Sequence, residues 1–140
     1  MNEDRKVKQV IVFRKDLVNG EKFSISLGKV GAQCAHASTA ALLNLFNKSD
    51  NKYNLDFEPN GYLDKWLNGI FTKIVVGIDN EAKLLNLYEK IKSERPDIPC
   101  ALITDCGITE FDGVPTNTCI GIGPFWSDEI DVFTKRLRLL

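Results

Sequence analysis

The chain is poor in the residues that build metal sites and disulfide frameworks. It has one histidine and four cysteines among 140 residues, and no two cysteines form a CxxC pair. A structural zinc site needs four converging ligands at short spacings, so we expect no metal. Three of the cysteines lie in apolar stretches, and the sequence therefore predicts buried free thiols.

Long apolar runs are also absent. No stretch approaches the roughly 20 residues that cross a membrane. The N-terminal segment Met1–Lys6 is charged and has no apolar segment behind it, which is not typical of a secretion signal. We therefore expect a cytoplasmic protein with no membrane partner, and the length suits a single domain over residues 1–140.

Neither sign of charge predominates. Eighteen basic and nineteen acidic residues give a net charge of −1 at pH 7, which excludes a general nucleic-acid-binding coat. The charges are unevenly distributed, however, because seven basic and two acidic residues lie between Arg5 and Lys29. This basic segment is compatible with an anionic ligand, and equally with ordinary solvated charge.

Strand-like and helix-like segments alternate along the chain. Apolar runs rich in β-branched residues predict strands at Val7–Phe13, Thr72–Ile78, Cys100–Thr104 and Thr118–Gly123, the last ended by Pro124. Periodicity and capping residues predict helices over Gly28–Phe46, near Tyr62–Leu67, over Asn80–Arg95, and from Ser127 as an N-cap. A polar loop is expected from Asn47 to Asn60.

The alternation of strands and helices predicts an α/β protein, a three-layer sandwich with helices on both faces of the sheet. The helix over Asn80–Arg95 joins the second and third strands. A strand–helix–strand unit of this kind predicts a parallel pair of strands with a right-handed crossover.

The common phosphate-binding and nucleophile motifs are incomplete or absent. Gly28-Lys29 is followed by Val30 instead of Ser or Thr, so a P-loop is excluded. Neither GxGxxG nor GxSxG occurs, which argues against a dinucleotide cradle and an α/β-hydrolase nucleophile.

Two groups of polar residues remain as candidates for a site. Lys29, Gln33 and His36 fall within about 60° of one another on a helix, although such a stripe is also typical of a solvated face. Asp105 follows the third strand in an Asp-x-Gly stretch, which is equally typical of an Asx turn. Ligands collect beyond the carboxyl ends of parallel strands, so we expect Lys29 and Asp105 at one sheet edge, facing solvent in a cleft.

Taken together, these motifs resemble the type II peptidyl-tRNA hydrolase family. Residues 28–37 are similar to the helix signature of the family. Residues 102–124 resemble its block of an aspartate, several threonines and a closing Ile-Gly-Pro. Shorter similarities occur at residues 14–17, 71–74 and 129–139, so the match covers nearly the whole chain in order.

The resemblance implies a mixed four-stranded sheet flanked by helices, usually in a homodimer. It implies hydrolysis of the ester between a peptide, or another N-blocked aminoacyl group, and the 3′ end of tRNA, with no cofactor. The catalytic residues expected are Lys29, Gln33, His36, Asp105 and Thr109, and the substrate-binding residues are Arg14, Lys15 and Thr118. A non-catalytic module that binds RNA ends or a protein partner through the same basic edge is the alternative.

The reaction needs a positioned water and charge stabilisation at the carbonyl oxygen. Lys29, near a helix N-terminus, can bind a phosphate or stabilise the oxyanion. Asp105 can orient the attacking water or accept its proton. The chain departs from the family pattern by additional residues between Asp16 and Gly28 and by Cys106 in place of the usual alanine.

Overall fold

The computed structural model describes residues 4–20, 24–107 and 111–140. Its strands are β1 (Val7–Arg14), β2 (Asn47–Ser49), β3 (Lys52–Asn54), β4 (Lys73–Ile78), β5 (Cys100–Asp105) and β6 (Thr116–Trp126). Its helices are α1 (Lys15–Val18), α2 (Leu27–Leu43), α3 (Tyr62–Leu67), α4 (Glu81–Glu94) and α5 (Ser127–Thr134). None of the helices described is long and apolar enough to cross a membrane.

Four strands form one mixed sheet in the order β4-β1-β6-β5, as expected for the fold class. β1 is parallel to β4 and antiparallel to β6, and β6 is antiparallel to β5. β4 and β5 therefore point the same way but lie at opposite edges of the sheet. The predicted pairing of these two strands is wrong, because a connecting helix fixes strand direction without making the strands neighbours.

Both faces of the sheet are covered, which explains the unbroken apolar run in β1. Val10 and Val12 pack in one core cluster with residues of α4 and α5. Ile11 and Phe13 pack in the other cluster, with Ala37 of α2. Because successive side chains of a strand point to opposite faces, a strand covered on both sides is apolar at consecutive positions, as from Val10 to Phe13.

Close packing of α2 on the sheet depends on small residues. Ala37 is fully buried, and a Cβ on Gly121 of β6 would lie 2.3 Å from the Ala37 carbonyl oxygen. The helix begins one residue before the predicted Gly28 and is capped by Ser26, whose side chain accepts the Lys29 N–H at 3.1 Å. This cap sets the position of the first turn of α2 at the sheet edge.

The sequence predicted that the last strand ends at Pro124, but β6 continues through this residue to Trp126. The register of β6 with β1 shifts so that Gly123 and Pro124 lie opposite the single residue Gln9. A bulge is one of the few places where a strand tolerates proline. The buried side chain of Gln9 donates to the Gly123 carbonyl oxygen at 3.1 Å and helps to hold this bulge.

Two other local predictions differ from the structure. The N-cap of α5 is Trp126 and not Ser127, because β6 pairs as far as Trp126 and the helix follows directly. The polar segment 47–60 contains the hairpin of β2 and β3, which turns at Asp50 with a φ of 52°. Aspartate adopts this left-handed conformation more readily than most residues.

Candidate active site

Lys29 and Asp105 meet at one edge of the sheet, although 76 positions separate them in the sequence. β5 ends at Asp105, and Lys29 lies in the first turn of α2. The Lys29 Nζ is 2.9 Å from the Asp105 Oδ1, so the two side chains form an ion pair. The sequence predicted this proximity from the position of both residues after strands.

The pair is more buried than expected. The Lys29 side chain is 13% exposed and that of Asp105 is 9% exposed, so the prediction that both face solvent is wrong. Phe111 contributes to this cover, because its buried ring has its centre 5.7 Å from the Lys29 Nζ. Solvent and salt screen such a pair less than they screen surface charges.

Gln33 connects the ion pair to the core of the protein. Its Nε2 donates to the Asp105 Oδ1 at 3.2 Å, and its Oε1 accepts the Thr118 hydroxyl at 2.7 Å. Gln33 and Thr118 are 1% and 0% exposed. With both ends of the amide satisfied, its orientation is fixed, and the carboxylate is held from the core side.

The second carboxylate oxygen of Asp105 closes a turn. The Oδ2 accepts the Gly107 N–H at 2.9 Å. Gly107 has a φ of 82°, and a Cβ there would lie 2.4 Å from the Val114 carbonyl oxygen, so only glycine fits. The two interpretations of Asp105 therefore both apply, because one oxygen forms an Asx turn while the other binds Lys29.

These contacts determine the protonation of Asp105. Burial by itself would raise the pKa of the carboxyl. The hydrogen bonds from Lys29, Gly107 and Gln33, together with the charge of Lys29, outweigh burial and lower the pKa below its ordinary value. The group is therefore a carboxylate at neutral pH and a weak base.

The site thus combines one cation, one carboxylate and a helix N-terminus. The first turn of α2 carries the Lys29 ammonium where the helix dipole is positive. This arrangement favours negative charge beside Lys29, while the carboxylate favours a bound water or another hydrogen-bond donor.

His36 is placed elsewhere on α2. Its side chain is exposed and lines an open groove of about 600 Å³ together with Leu43, Leu102 and Thr104. Gln33, and not His36, contacts the Asp105 carboxylate. Thr109 lies outside the described residues.

Arg14 and Lys15 lie at the same sheet edge but outside the ion pair of Lys29 and Asp105. The Arg14 guanidinium binds both carboxylate oxygens of Asp16, at 3.1 and 2.8 Å. Lys15 lies 2.9 Å from an Asp79 carboxylate oxygen, and its side chain is 50% exposed.

Sequence reasoning missed Asn117, which links the elements along this edge. Its Oδ1 accepts the Thr104 hydroxyl at 2.6 Å, and its backbone carbonyl accepts the Arg14 Nη1 at 3.0 Å. Its Nδ2 donates to Glu81, at the start of α4, at 3.3 Å. The signal available in the sequence was its position next to Thr118. Neighbouring residues of a strand point to opposite faces, so a polar residue at this position would serve the other face of the sheet.

All four cysteines are free thiols. Cys100 and Cys119 are buried, and burial raises the pKa of each to about 12. The prediction of buried thiols is thus confirmed for Cys100 and Cys119, while Cys34 is only half-buried and Cys106, outside the apolar stretches, is exposed. Within residues 4–20, 24–107 and 111–140, no three His, Cys, Asp or Glu side chains converge as metal ligands.

Comparison with known proteins agrees with the resemblance found in the sequence. A family model described as "Peptidyl-tRNA hydrolase PTH2" matches residues 7–140. A similar protein from Methanocaldococcus jannaschii is 34% identical, with 96% of this chain and 100% of that protein aligned. Relatives from Methanopyrus kandleri and Sulfurisphaera tokodaii are 38% and 36% identical over 95% of this chain, and over 97% and 98% of their own lengths.

Each of these three relatives is named peptidyl-tRNA hydrolase. The family match spans nearly the whole chain, including the elements that carry Lys29, Gln33 and Asp105. The chain therefore belongs to the peptidyl-tRNA hydrolase PTH2 family.

Proposed function

We propose that this protein hydrolyses the ester between a peptide, or another N-blocked aminoacyl group, and the 3′ end of tRNA. The observation that carries the proposal is the largely buried pair of Lys29 and Asp105, joined at 2.9 Å at the carboxyl edge of the sheet. Membership of the family and the names of the relatives support the same reaction. Water adds to the ester carbonyl, and the products are the free peptide acid and deacylated tRNA.

In this mechanism Asp105 orients the attacking water. A carboxylate with a lowered pKa is a poor proton acceptor at neutral pH, because an effective general base has a pKa near the working pH. An ester needs little activation of the water. Holding it in line with the carbonyl carbon is therefore the main contribution of Asp105.

Lys29 stabilises the negative charge that develops on the carbonyl oxygen. Its ammonium lies in the first turn of α2, where the helix dipole adds to its positive charge. The largely buried position increases the effect, since a charge interaction is stronger away from bulk water.

Gln33 and Thr118 position the carboxylate without touching the substrate. Both side chains are buried, and the hydroxyl of Thr118 points to Gln33. The family resemblance implied that Thr118 contacts the substrate, but its burial argues against this contact. We assign both residues to the positioning of Asp105.

We also propose roles for Thr109 and His36 in the reaction, and for Arg14 and Lys15 in binding. Thr109 supplies a hydroxyl to substrate or water, as the resemblance implies. His36 borders the groove beside Thr104, and its proposed role is that of a general base. Arg14 and Lys15 contact the tRNA backbone from the same sheet edge.

The proposal extends to a cytoplasmic location and to the homodimer that the family resemblance implies. Sedimentation equilibrium over a range of protein concentrations measures the mass in solution. A mass near twice 15.7 kDa supports the dimer, and a mass of one chain contradicts it.

The activity is tested with N-acetyl-aminoacyl-tRNA and purified protein, by following release of the acyl group. Asp105→Asn serves as the matched control, since it removes the charge and keeps the shape. Release well above the buffer rate by the wild type, and not by the variant, supports the hydrolase. Bound tRNA without release would instead favour the non-catalytic module.

A further inference from the structure

The basic N-terminal segment is largely neutralised by the fold. Five of its seven basic residues form ion pairs with carboxylates. Those five are Arg5, Lys8, Arg14, Lys15 and Lys29. The excess of positive charge in this part of the sequence is therefore largely offset at the surface by carboxylates, and a polyanion needs further cations from other elements.

A second group of cations lines a groove between α4 and the end of the chain. This basic groove has a volume of about 540 Å³. Its charged lining residues are Lys15, Asp79, Lys83, Lys90, Arg136 and Arg138. Five cations thus face one carboxylate, which leaves an excess of four positive charges.

Asp79 does not neutralise the basic groove. Its two oxygens are shared between Lys15 at 2.9 Å and Lys83 at 2.8 Å. Within the described part of the chain, Lys90 and Arg138 form no ion pair. The cations at the far side of the groove are therefore available to a ligand.

The fold holds the basic groove in place through backbone hydrogen bonds. The Gly77 N–H donates to the Arg138 carbonyl oxygen at 2.9 Å, and the Leu140 N–H donates to that of Val75 at 3.1 Å. The end of the chain is thereby fixed along β4, beside α4. Arg136 and Arg138 are thus parts of a built surface.

The basic groove and the active site lie at the same end of the sheet, where the parallel strands β4 and β5 both finish. The groove includes Ile78, at the carboxyl end of β4, and Asp105 is at the carboxyl end of β5. β4 and β5 are three strand spacings apart in the sheet, or about 14 Å at 4.7–4.9 Å per spacing. Arg14 and Asn117 lie between them, joined by a hydrogen bond.

We propose that the basic groove binds the phosphodiester backbone of the substrate RNA, on the 5′ side of the acylated 3′ end. This inference rests on the proposed function, since the ester at Lys29 and Asp105 fixes one end of the RNA strand. The strand must leave the active site, and the edge with Arg14 leads to a surface with four excess positive charges. Lysine and arginine contacts to phosphates carry no sequence information, which suits a substrate recognised by its backbone.

The test removes three charges from the basic groove and three from a control surface. The groove variant is Lys90→Gln/Arg136→Gln/Arg138→Gln, all at exposed positions. The control variant is Lys48→Gln/Lys52→Gln/Lys92→Gln, also exposed. Lys92 lies with Asn44 and Cys100 at the start of β5, while Lys48 and Lys52 belong to the hairpin of β2 and β3, and none of the three lines the basic groove. Both variants change the net charge equally.

Hydrolysis is measured on full-length N-acetyl-aminoacyl-tRNA and on N-acetyl-aminoacyl-adenosine, which has no phosphodiester backbone. We expect the groove variant to raise KM for the tRNA substrate by roughly tenfold or more at about 150 mM salt. The slope of log KM against log salt should fall by about 2–3, since each lost phosphate contact contributes roughly 0.7–0.9. The control variant should show neither effect, and the adenosine ester should not distinguish the two variants.

The outcomes separate this proposal from the proposed function. If the groove and control variants have equal KM values and salt slopes on tRNA while the wild type hydrolyses both substrates, the groove proposal is wrong and the hydrolase stands. If the wild type hydrolyses neither substrate, the hydrolase is wrong. Direct tRNA binding by the two variants then still decides whether the groove holds RNA.

Discussion

At the scale of single residues, Asp105 connects every part of the site. One of its oxygens receives hydrogen bonds from Lys29 and Gln33, and the other closes the turn through Gly107. Gln33 in turn depends on Thr118, whose hydroxyl is the described partner of its amide oxygen in the core. A change at Thr118 therefore reaches the carboxylate through a single intermediate side chain.

Thr118→Val should weaken both the fold and the site. Removing the hydroxyl leaves the buried Gln33 Oε1 without this donor, which costs about 1–3 kcal/mol of unfolding free energy. The freed amide no longer holds Asp105, so kcat should fall. Urea unfolding and hydrolysis kinetics measure the two effects. Thr118→Ser keeps the hydroxyl, and an equal loss of kcat in that control would contradict the positioning role.

The four thiols should differ sharply in their reaction with alkylating reagents. Cys106 is exposed, whereas burial raises the pKa of Cys100 and Cys119 to about 12 and suppresses their thiolates. Mass spectrometry after limited iodoacetamide treatment should find Cys106 modified first. A bulky maleimide at Cys106 should inhibit hydrolysis because the residue adjoins Asp105, and Cys106→Ala should resist this inhibition. Earlier labelling of Cys100 or Cys119 in folded protein would contradict the described packing.

Much of the site at this scale could be predicted from the sequence. Lys29 and Asp105 both follow strands, and strand ends at one edge bring distant residues together. Their burial could not be predicted, because it depends on Phe111 and on how tightly α2 packs against Gly121. Asn117 was missed for a similar reason, since its partners come from three separate elements.

At the scale of elements, local patterns predicted strands and helices better than their arrangement. The apolar run of β1 and the periodicity of α4 gave both elements nearly to their ends. The neighbours of each strand depend on long-range pairing, so the separation of β4 and β5 was not predicted. The passage of β6 through Pro124 depends on the bulge opposite Gln9, which no local pattern indicates.

The turn after β5 should be intolerant of any side chain at Gly107. Gly107 and Gly113 both have positive φ values, 82° and 77°, and alanine at either position costs about 1–2 kcal/mol in backbone strain. At Gly107 the new Cβ also meets the Val114 backbone at 2.4 Å, whereas nothing lies within 4 Å at Gly113. Gly107→Ala should therefore lose more unfolding free energy and more kcat than Gly113→Ala. Equal effects in urea unfolding and kinetics would contradict the close approach seen in this turn.

At the scale of the whole molecule, the net charge of −1 does not describe how charge is distributed over the surface. Most cations of the N-terminal segment are paired within the fold, while the basic groove keeps an excess of positive charge. Sequence arithmetic counts charges without their partners, so it could not show that five of the seven cations of this segment form ion pairs. Which cations remain available to a polyanion depends on the ion pairs that form in the folded protein.

Salt should act on substrate binding far more than on the chemical step. Phosphate contacts at exposed cations weaken steeply between about 50 and 200 mM salt. The largely buried pair of Lys29 and Asp105 is screened much less. KM for N-acetyl-aminoacyl-tRNA should therefore rise strongly over this range while kcat changes little. A flat KM, or a kcat that falls in parallel with binding, would contradict this division.

Removing one charge of the Lys29 and Asp105 pair, and then both, separates the effect of the pair on activity from its effect on stability. Lys29→Met and Asp105→Asn each leave a largely buried charge without its partner. This costs up to about 3–5 kcal/mol for full burial, and less for side chains that are 13% and 9% exposed. The double variant removes both charges and should recover much of this unfolding free energy. Its activity should not recover with its stability.

The decisive measurement is kcat for N-acetyl-aminoacyl-tRNA at saturating substrate, in the wild type, Lys29→Met, Asp105→Asn and the double variant, with folding checked by urea unfolding. Loss of the charge-stabilising Lys29 should lower kcat by about 10²–10³-fold. Loss of the water-orienting Asp105 should lower it by about 10²-fold, the size expected when a reacting group is no longer held in place. The double variant should lose much less than the product of the single losses, because the two groups act as one unit. Near-native kcat in both folded single variants would show that the ester is hydrolysed elsewhere on the chain.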